Sequence, residues 1–167
     1  MNLPDVPKGA AVFVDANIFI YAVEHRSPQC RQLLDQIDDG DVRAFSSAIV
    51  VAEVGYRRMI NEAREAGLVT GSNPARLLGR KPGGIQSLSH YAQNVRDLLD
   101  SPVAFETIRL EDFYVALELQ RQHGLMTNDS LNLAIARRLG LHGLATADSG
   151  FDRVPGLLVY KPSDIST

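Results

Sequence analysis

Residues 10–20 constrain the fold of this chain more than any other stretch. The sequence there is Ala-Ala-Val-Phe-Val, followed by Asp15, Ala16, Asn17 and Ile-Phe-Ile. A short run of apolar, β-branched and aromatic residues predicts a strand buried on both faces of a parallel sheet. Asp15 stands at the carboxyl end of that strand, and Asn17 is expected to cap the helix that follows. Because sites in open α/β sheets form beyond the carboxyl ends of strands, Asp15 is the first candidate functional residue.

Length, charge and cysteine content narrow the class of protein. With 167 residues, one domain spanning 1–167 is expected. The net charge of −3 argues against a strongly basic nucleic-acid-binding protein, but permits a nuclease whose acidic residues hold a cation. A single cysteine, Cys30, excludes an internal disulfide and a cysteine-based metal site. No apolar run approaches the ~18 residues of a membrane span, and the first residues do not resemble a signal peptide, so a cytoplasmic protein is expected.

Helical and strand patterns alternate along the rest of the chain. Further strands are predicted at 42–45, 103–108, 141–146 and 157–160, and helices between them at 28–38, 48–64, 85–99, 110–123 and 127–139. This alternation predicts a three-layer α/β/α fold around a central five-stranded, mostly parallel sheet. Residues 67–84 are rich in glycine and proline, which predicts a long loop or inserted segment with one short helical turn at 74–78.

Four acidic residues lie at predicted element ends or on an apolar helix face: Asp15, Glu53, Asp129 and Asp148. Three have ordinary structural explanations, because acids at strand ends cap turns and an acid in a first helical turn complements the helix dipole. Glu53 is different, since it falls mid-helix among residues expected to face the core. A carboxylate there needs an ion-pair partner, a hydrated cleft or a cation. Arg57, one turn later, is the ordinary ion-pair partner.

The predicted topology brings the acids together. Asp15 and Asp148 both follow parallel strands, and Asp129 begins the helix that leads into the strand before Asp148. Converging carboxylates repel one another unless a cation neutralises them. Oxygen ligands suit a hard ion such as Mg²⁺ or Mn²⁺, and such an ion promotes the hydrolysis of phosphate esters. The acids therefore predict metal-dependent chemistry on phosphates.

Four blocks of sequence carry a family resemblance. They are Val-Phe-Val-Asp-Ala-Asn-Ile-Phe at 12–19, Ser-Ser-Ala-Ile-Val-Val-Ala-Glu-Val at 46–54, Thr-Asn-Asp-Ser-Leu-Asn-Leu-Ala-Ile-Ala at 127–136 and Leu-Ala-Thr-Ala-Asp-Ser-Gly-Phe at 144–151. In this order they resemble the PIN domain family, and within it the VapC-type toxin ribonucleases. The resemblance implies a PIN-like fold, Mg²⁺- or Mn²⁺-dependent cleavage of RNA by an endoribonuclease, a homodimer, and a small antitoxin protein as partner.

The resemblance also implies roles for individual residues. The acidic catalytic and metal site would comprise Asp15, Glu53, Asp129 and Asp148, with Asn17 and Thr146 as supporting polar neighbours. Asp15 and Asp148 are the expected direct ligands, and Glu53 and Asp129 are expected to position water. The 67–84 segment is longer than in compact toxins of this type. Its three basic side chains are predicted to contact RNA or a partner: Arg76, Arg80 and Lys81.

Three other functions remain open on the sequence alone. A PIN nuclease that processes RNA without being a toxin would carry the same acids. A phosphatase with an aspartyl nucleophile at Asp15 is disfavoured, because such enzymes usually carry a second aspartate where this chain has Asn17. A non-catalytic PIN-like binding module is disfavoured by the four intact acids.

Overall fold

The computed structural model describes residues 1–165 and contains one five-stranded sheet. The strands lie in the order β3-β2-β1-β4-β5, and all neighbouring strands are parallel. Their bounds are β1 Ala11–Val14, β2 Arg43–Ser47, β3 Ala104–Glu106, β4 Gly143–Ala145 and β5 Val159–Tyr160. The predicted five-stranded, mostly parallel sheet is therefore confirmed.

Strand β1 lies at the centre of the sheet. Val12, Phe13 and Val14 have no exposed surface, as expected for a strand covered on both faces. The chain runs outward from β1 to β2 and β3, then returns to place β4 on the opposite side of β1. This reversal of strand order makes the carboxyl end of β1 the topological switch point, where open α/β sheets form their binding sites.

Eight α-helices connect the strands within residues 1–165. They are α1 Ala16–Val23, α2 Pro28–Asp38, α3 Ala48–Glu65, α4 Pro74–Leu78, α5 Pro82–Ser87, α6 His90–Leu99, α7 Leu110–His123 and α8 Thr127–Arg138. The helix predicted at 110–123 is confirmed at both ends, and Gly124 closes it in the left-handed conformation, with φ of +65°. Among the described residues, no helix is long and apolar enough to cross a membrane.

The single helix predicted at 85–99 is wrong, because α5 and α6 are separate helices. Leu88 is in extended conformation between them. The α6 amino terminus is capped by a distant carboxylate: Glu62 accepts hydrogen bonds from the backbone N–H groups of Ser89, His90 and Tyr91, at 2.7–3.0 Å. Three charge-assisted bonds to orphan helix donors favour a new helix start at this point over continuation of α5.

The chain divides into two compact units. The sheet unit comprises residues 1–50 and 102–165 and contains all five strands, whereas the helical unit is Val51–Ser101. The helical unit has a small core of its own, formed by Ile60, Ala63, Val69, Leu78 and Leu88. The 67–84 segment lies in this unit. The short helix expected at 74–78 is confirmed as α4, but the expectation of loop up to residue 84 misses the start of α5.

Candidate active site

Asp15 is a buried carboxylate at the end of β1, and both of its side-chain oxygens accept hydrogen bonds. Its Oδ1 accepts from the backbone N–H of Ala16 at 2.8 Å. Its Oδ2 accepts from Asn17 Nδ2 at 2.6 Å and from the Thr146 hydroxyl at 2.7 Å. Only 6% of the residue is exposed. Bonds to both oxygens fix the orientation of the carboxylate before any ligand binds.

The prediction that Asn17 caps α1 is wrong, because Asp15 is the N-cap and Asn17 is the second helical residue. The helix begins two residues earlier than expected, since the Asp15 carboxylate itself accepts a hydrogen bond from the first helical N–H. The Asn17 amide is thereby directed toward the segment after β4. Its Nδ2 donates to Thr146 Oγ1 at 3.0 Å, and its Oδ1 accepts from the backbone N–H of Ala147 at 2.8 Å.

Thr146 links Asp15 to the second acid of the site. Its hydroxyl is fully buried, donates to Asp15, and accepts the backbone N–H of Asp148 at 3.0 Å. Asp148 is exposed and caps the 3₁₀ helix Ser149–Arg153, with its Oδ1 accepting from Gly150 N–H at 2.6 Å. Within residues 1–165, its Oδ2 accepts no hydrogen bond. Asp148 therefore presents one carboxylate oxygen to solvent beside a buried, preorganised carboxylate.

A second polar link lies on the other side of β1. Phe13 pairs with Phe45, so two residues further on Asp15, directly after β1, is level with Ser47, the last residue of β2. The Ser47 hydroxyl donates to Asn132 Oδ1 on α8 at 2.8 Å, and both side chains are buried. This bond fixes the amino-terminal half of α8 to the carboxyl edge of the sheet.

Asp129 lies in the first turn of α8, three residues before Asn132, and is partly exposed. Residues three apart share a helix face, so Asp129 is on the face that Asn132 directs to the sheet edge. The sequence interpretation missed Ser47 and Asn132 as site residues. A detectable signal was present, because Asn132 interrupts the apolar run formed by Leu131, Leu133, Ala134 and Ile135.

The remaining predicted site residues belong to the helical unit. Glu53, on α3, has Oε1 3.4 Å from Arg57 Nη1, and a third of its side chain is exposed. The ordinary ion pair expected from the sequence is thus present, and a role for Glu53 in the acidic site stays a prediction. Arg76, Arg80 and Lys81 are exposed, and the Lys81 ammonium donates to the Leu68 carbonyl at 2.6 Å. Their contact with RNA also stays a prediction.

The donor atoms at the sheet edge suit a hard cation. In residues 1–165, no three His, Cys, Asp or Glu side chains are grouped so that they would hold a metal ion by themselves. Mg²⁺, however, typically takes one or two carboxylates directly and keeps several waters. Asp15 and Asp148 offer oxygen ligands of that kind, linked through the Thr146 hydroxyl and backbone. The arrangement fits a water-rich Mg²⁺ or Mn²⁺ site better than an enclosed protein cage.

The family of this chain follows from the match of its sequence to a family model. The model of the PIN domain matches residues 12–157, and the chain belongs to the PIN domain family. No relative was found among curated protein sequences.

Three solved structures share the fold of this chain. VapBC2 from Rickettsia felis, bound to a DNA fragment of its promoter, is 19% identical with a TM-score of 0.59, and the match covers 92% of this chain and 99% of that one. A toxin–antitoxin complex from Klebsiella pneumoniae is 18% identical with a TM-score of 0.58, at the same coverage. VapC20 of Mycobacterium tuberculosis, a sarcin–ricin loop cleaving toxin, is 17% identical with a TM-score of 0.55, covering 88% and 96%. At these identities the likeness establishes the fold.

Proposed function

We propose that this PIN domain protein is a metal-dependent endoribonuclease that hydrolyses RNA phosphodiester bonds, and that it is the toxin of a toxin–antitoxin pair. The observation that carries the proposal is the arrangement of Asp15, Thr146 and Asp148 at the switch point of the sheet. A buried carboxylate that accepts from two side-chain donors is linked through Thr146 to an exposed carboxylate, one oxygen of which accepts no hydrogen bond from residues 1–165. Such a pair is suited to ligand binding, because one partner is rigid and the other is accessible.

Each polar residue has a distinct task in the proposed reaction. Asp15 and Asp148 would hold the cation directly, and Asn17 and Thr146 would keep the Asp15 carboxylate in its binding orientation. A bound Mg²⁺ or Mn²⁺ neutralises charge that develops on the phosphate and makes water more acidic. Asp129 and Glu53 would orient the attacking water, one of them accepting its proton.

The choice of RNA as substrate is supported by the fold relatives and by the helical unit. One relative of similar fold is a toxin that cleaves the sarcin–ricin loop. The helical unit carries seven Lys or Arg residues against five Asp or Glu, in a chain whose net charge is −3. We propose that Arg76, Arg80 and Lys81, all exposed, contact the phosphate backbone.

A small antitoxin protein is the proposed protein partner. Two of the structures of similar fold are toxin–antitoxin assemblies, and the match covers nearly the whole of each matched chain. An antitoxin acting on this chain would block access to Asp148, the exposed acid of the proposed site.

The test is cleavage of a structured RNA, such as ribosomal RNA, by the purified chain in Mg²⁺ and in EDTA. We expect cleavage in Mg²⁺ alone, and a loss of at least about 100-fold in Asp148→Asn. Asp152→Asn is the matched control, because Asp152 is an exposed acid of the same 3₁₀ helix, paired with Lys161. Undiminished cleavage in EDTA, or equal activity in the two variants, would contradict the proposal.

Two of the competing functions are distinguished by assays of the purified chain, and the third by expression in cells. A phosphatase would release phosphate from a monoester such as p-nitrophenyl phosphate and leave RNA intact. The structure disfavours it, since the Asn17 amide donates to Asp15 at the position where the second aspartate would stand. A non-catalytic module would bind RNA without cleaving it. A PIN nuclease of RNA processing would cleave RNA, yet its expression without an antitoxin would not arrest growth.

A further inference from the structure

Arg153 is an exposed arginine at the end of the 3₁₀ helix that Asp148 caps. In a 3₁₀ helix, residues three apart lie on the same side, so Arg153 stands over Gly150. Its Nε donates to the Gly150 carbonyl at 3.3 Å, and the Gly150 N–H donates to Asp148 Oδ1 at 2.6 Å. One glycine therefore links the guanidinium to the exposed acid of the candidate site.

The guanidinium lies against two glycines. A Cβ at Gly150 would lie 3.4 Å from Arg153 Nη2 and 3.1 Å from Asp148 Oδ1, so these two polar atoms are no further apart than the sum of those distances. A Cβ at Gly124, the residue that closes α7, would lie 3.4 Å from Arg153 Nη1. The chain runs from Gly124 directly into α8, which carries Asp129 in its first turn. Arg153 therefore extends from the Asp148 turn to the segment that leads to Asp129.

Most of the hydrogen-bond donors of Arg153 are open to solvent. A guanidinium has five N–H donors, and within residues 1–165 the one acceptor that Arg153 contacts is the Gly150 carbonyl. No carboxylate in that range forms an ion pair with it, whereas Arg138 of the same unit is engaged by Asp112 and Glu106. An arginine without an acidic partner, beside the exposed acid of a candidate cation site, is suited to bind an anion.

The orientation of this 3₁₀ helix is fixed by its buried side. Phe151 lies within it and Val154 directly after it, and both side chains are buried. A rotation that moved Arg153 away from Gly150 would bring these apolar side chains toward water, which is unfavourable. The place of the guanidinium is therefore set by the fold before any ligand binds, as a preorganised binding group requires.

We propose that Arg153 binds the RNA phosphate at which the chain cleaves, through its Nη1 and Nη2 groups. This inference rests on the proposed function and adds a residue to it. The guanidinium presents parallel N–H groups that match two oxygens of a phosphate. Cleavage concentrates negative charge on these oxygens, so a guanidinium in contact with them stabilises the transition state as well as the bound RNA. Asp148 acts by holding the cation, and Arg153 acts by direct contact with the phosphate.

The first test measures binding of a short, fluorescently labelled single-stranded RNA in Mg²⁺ by anisotropy. All chains carry Asp129→Asn to suppress cleavage while Asp15 and Asp148 remain. Arg153→Gln should weaken binding at least about tenfold and reduce the slope of log affinity against log salt by about 0.7, the value of one phosphate contact. Arg137→Gln is the matched control, because Arg137 is an exposed arginine at the end of α8 distant from Asp129.

The second test distinguishes the cleaved phosphate from a neighbouring one. Single-turnover cleavage in Mg²⁺, with the chain in saturating excess over RNA and Asp129 intact, measures the chemical step apart from binding. Arg153→Gln should slow this step at least about tenfold, because a donor to the charge of the transition state is lost. Arg153→Lys keeps the charge without the planar fork and should recover part of the rate. Thermal melts check that both variants are as stable as the wild type.

The outcomes separate this inference from the proposed function. A wild-type chain that does not cleave RNA would contradict the proposed function itself. If the wild type cleaves RNA but Arg153→Gln and Arg137→Gln have equal effects on RNA binding, only the assignment of Arg153 is wrong, and its guanidinium is left for an acidic protein partner. Weakened binding by Arg153→Gln with an unchanged single-turnover rate would place the contact at a neighbouring phosphate and would likewise overturn the proposal.

Discussion

The two units of this protein differ in charge, in core and in how their polar groups are stabilised. The sheet unit carries fifteen Asp or Glu against ten Lys or Arg, whereas the helical unit carries five against seven. In the sheet unit, Asp15 is buried and is satisfied by neighbours at the carboxyl edge of the strands. In the helical unit, the most buried acid, Glu62, is satisfied by the backbone of a helix start. The buried carboxylate of Asp15 thus belongs to a candidate site, whereas that of Glu62 stabilises the start of a helix.

The difference predicts that acids of the two units respond in opposite ways to removal of their charge. In the sheet unit, Asp148→Asn should reduce the rate of RNA cleavage at least about 100-fold. The stability of the metal-free protein should be unchanged or higher, because repulsion between the acidic side chains is relieved. Its stabilisation by Mg²⁺ should be smaller than in the wild type, since ligand stabilisation depends on occupancy.

Thermal melts of wild type, Asp148→Asn and Asp129→Asn, in EDTA and in Mg²⁺, measure these effects together with a cleavage assay. If Asp148 serves only as the cap of its 3₁₀ helix, asparagine should replace it with little loss, since both residues are good caps. Full activity in both variants would end the interpretation of this edge as a metal site.

In the helical unit, Glu62→Gln should destabilise the protein by about 2–3 kcal/mol, because three backbone donors lose a charged acceptor. Burial acts to raise the pKa of Glu62, but the N–H groups of Tyr91, His90 and Ser89 outweigh it, so the folded pKa lies below the ordinary 4.5. The contribution of Glu62 is therefore complete above 4.5 and is lost as the pH falls through the folded pKa.

Urea denaturation between neutral and acidic pH tests this expectation. Glu62→Gln should show a shallower loss of stability below pH 4.5 than the wild type. Glu65→Gln is the control, because Glu65 is exposed at the end of the same helix, α3. A pH dependence of Glu62→Gln identical to that of the wild type would show that the carboxylate does not cap α6 in solution.

Asp15 and Glu62 also show why the sequence predicts the sheet unit better than the helical unit. The apolar run before Asp15 predicts a central strand from local pattern alone, and the end of that strand locates Asp15 at the sheet edge. The separation of α5 from α6 depends on Glu62, 27 residues before Ser89. No local pattern at 85–99 carries that information. Short helices that begin at Pro74 and Pro82 in a glycine-rich segment likewise depend on a small core that forms only on folding.

Within the sheet unit, the same limit applies to polar links between distant segments. Ser47 and Asn132 are 85 residues apart, and their hydrogen bond is not visible as a local sequence pattern.

Asn132→Ala should lower the free energy of unfolding by about 1–3 kcal/mol, because the buried Ser47 hydroxyl loses its acceptor. If Asn132 also positions Asp129, the midpoint of the Mg²⁺ dependence of stability should rise. Ser27→Ala is the comparison, because it removes a buried hydroxyl that bonds Asp164, away from the candidate site. A shift in the Mg²⁺ midpoint in both variants would show a general effect of destabilisation.

Asn17→Asp tests the polar contacts around Asp15 with a substitution that barely changes the size of the side chain. Asn17 Nδ2 lies 2.6 Å from Asp15 Oδ2, so the substitution places two carboxylates in contact in a buried place. We expect a loss of stability in EDTA that Mg²⁺ largely restores, since a cation would neutralise the pair. A melting temperature that remains below that of the wild type at saturating Mg²⁺ would show that the Asn17 amide is needed for its hydrogen bonds to Thr146 and Ala147.

The smallest expected effect concerns the basic side chains of the helical unit. Arg76 and Arg80 are exposed in and after α4, and neither lies in the small core. If both contact RNA phosphates, Arg76→Ala with Arg80→Ala should weaken binding and reduce the slope of log affinity against log salt by about 1.4, since each contact to a single strand contributes about 0.7. Arg96→Ala is the control, because Arg96 is an exposed base on α6 of the same unit and lies outside the 67–84 segment. Binding is measured with the Asp148→Asn background so that RNA is not consumed. An unchanged slope in the double variant would assign the positive charge of this unit to solubility or to a partner, and would leave the acidic edge of the sheet as the only proposed contact with RNA.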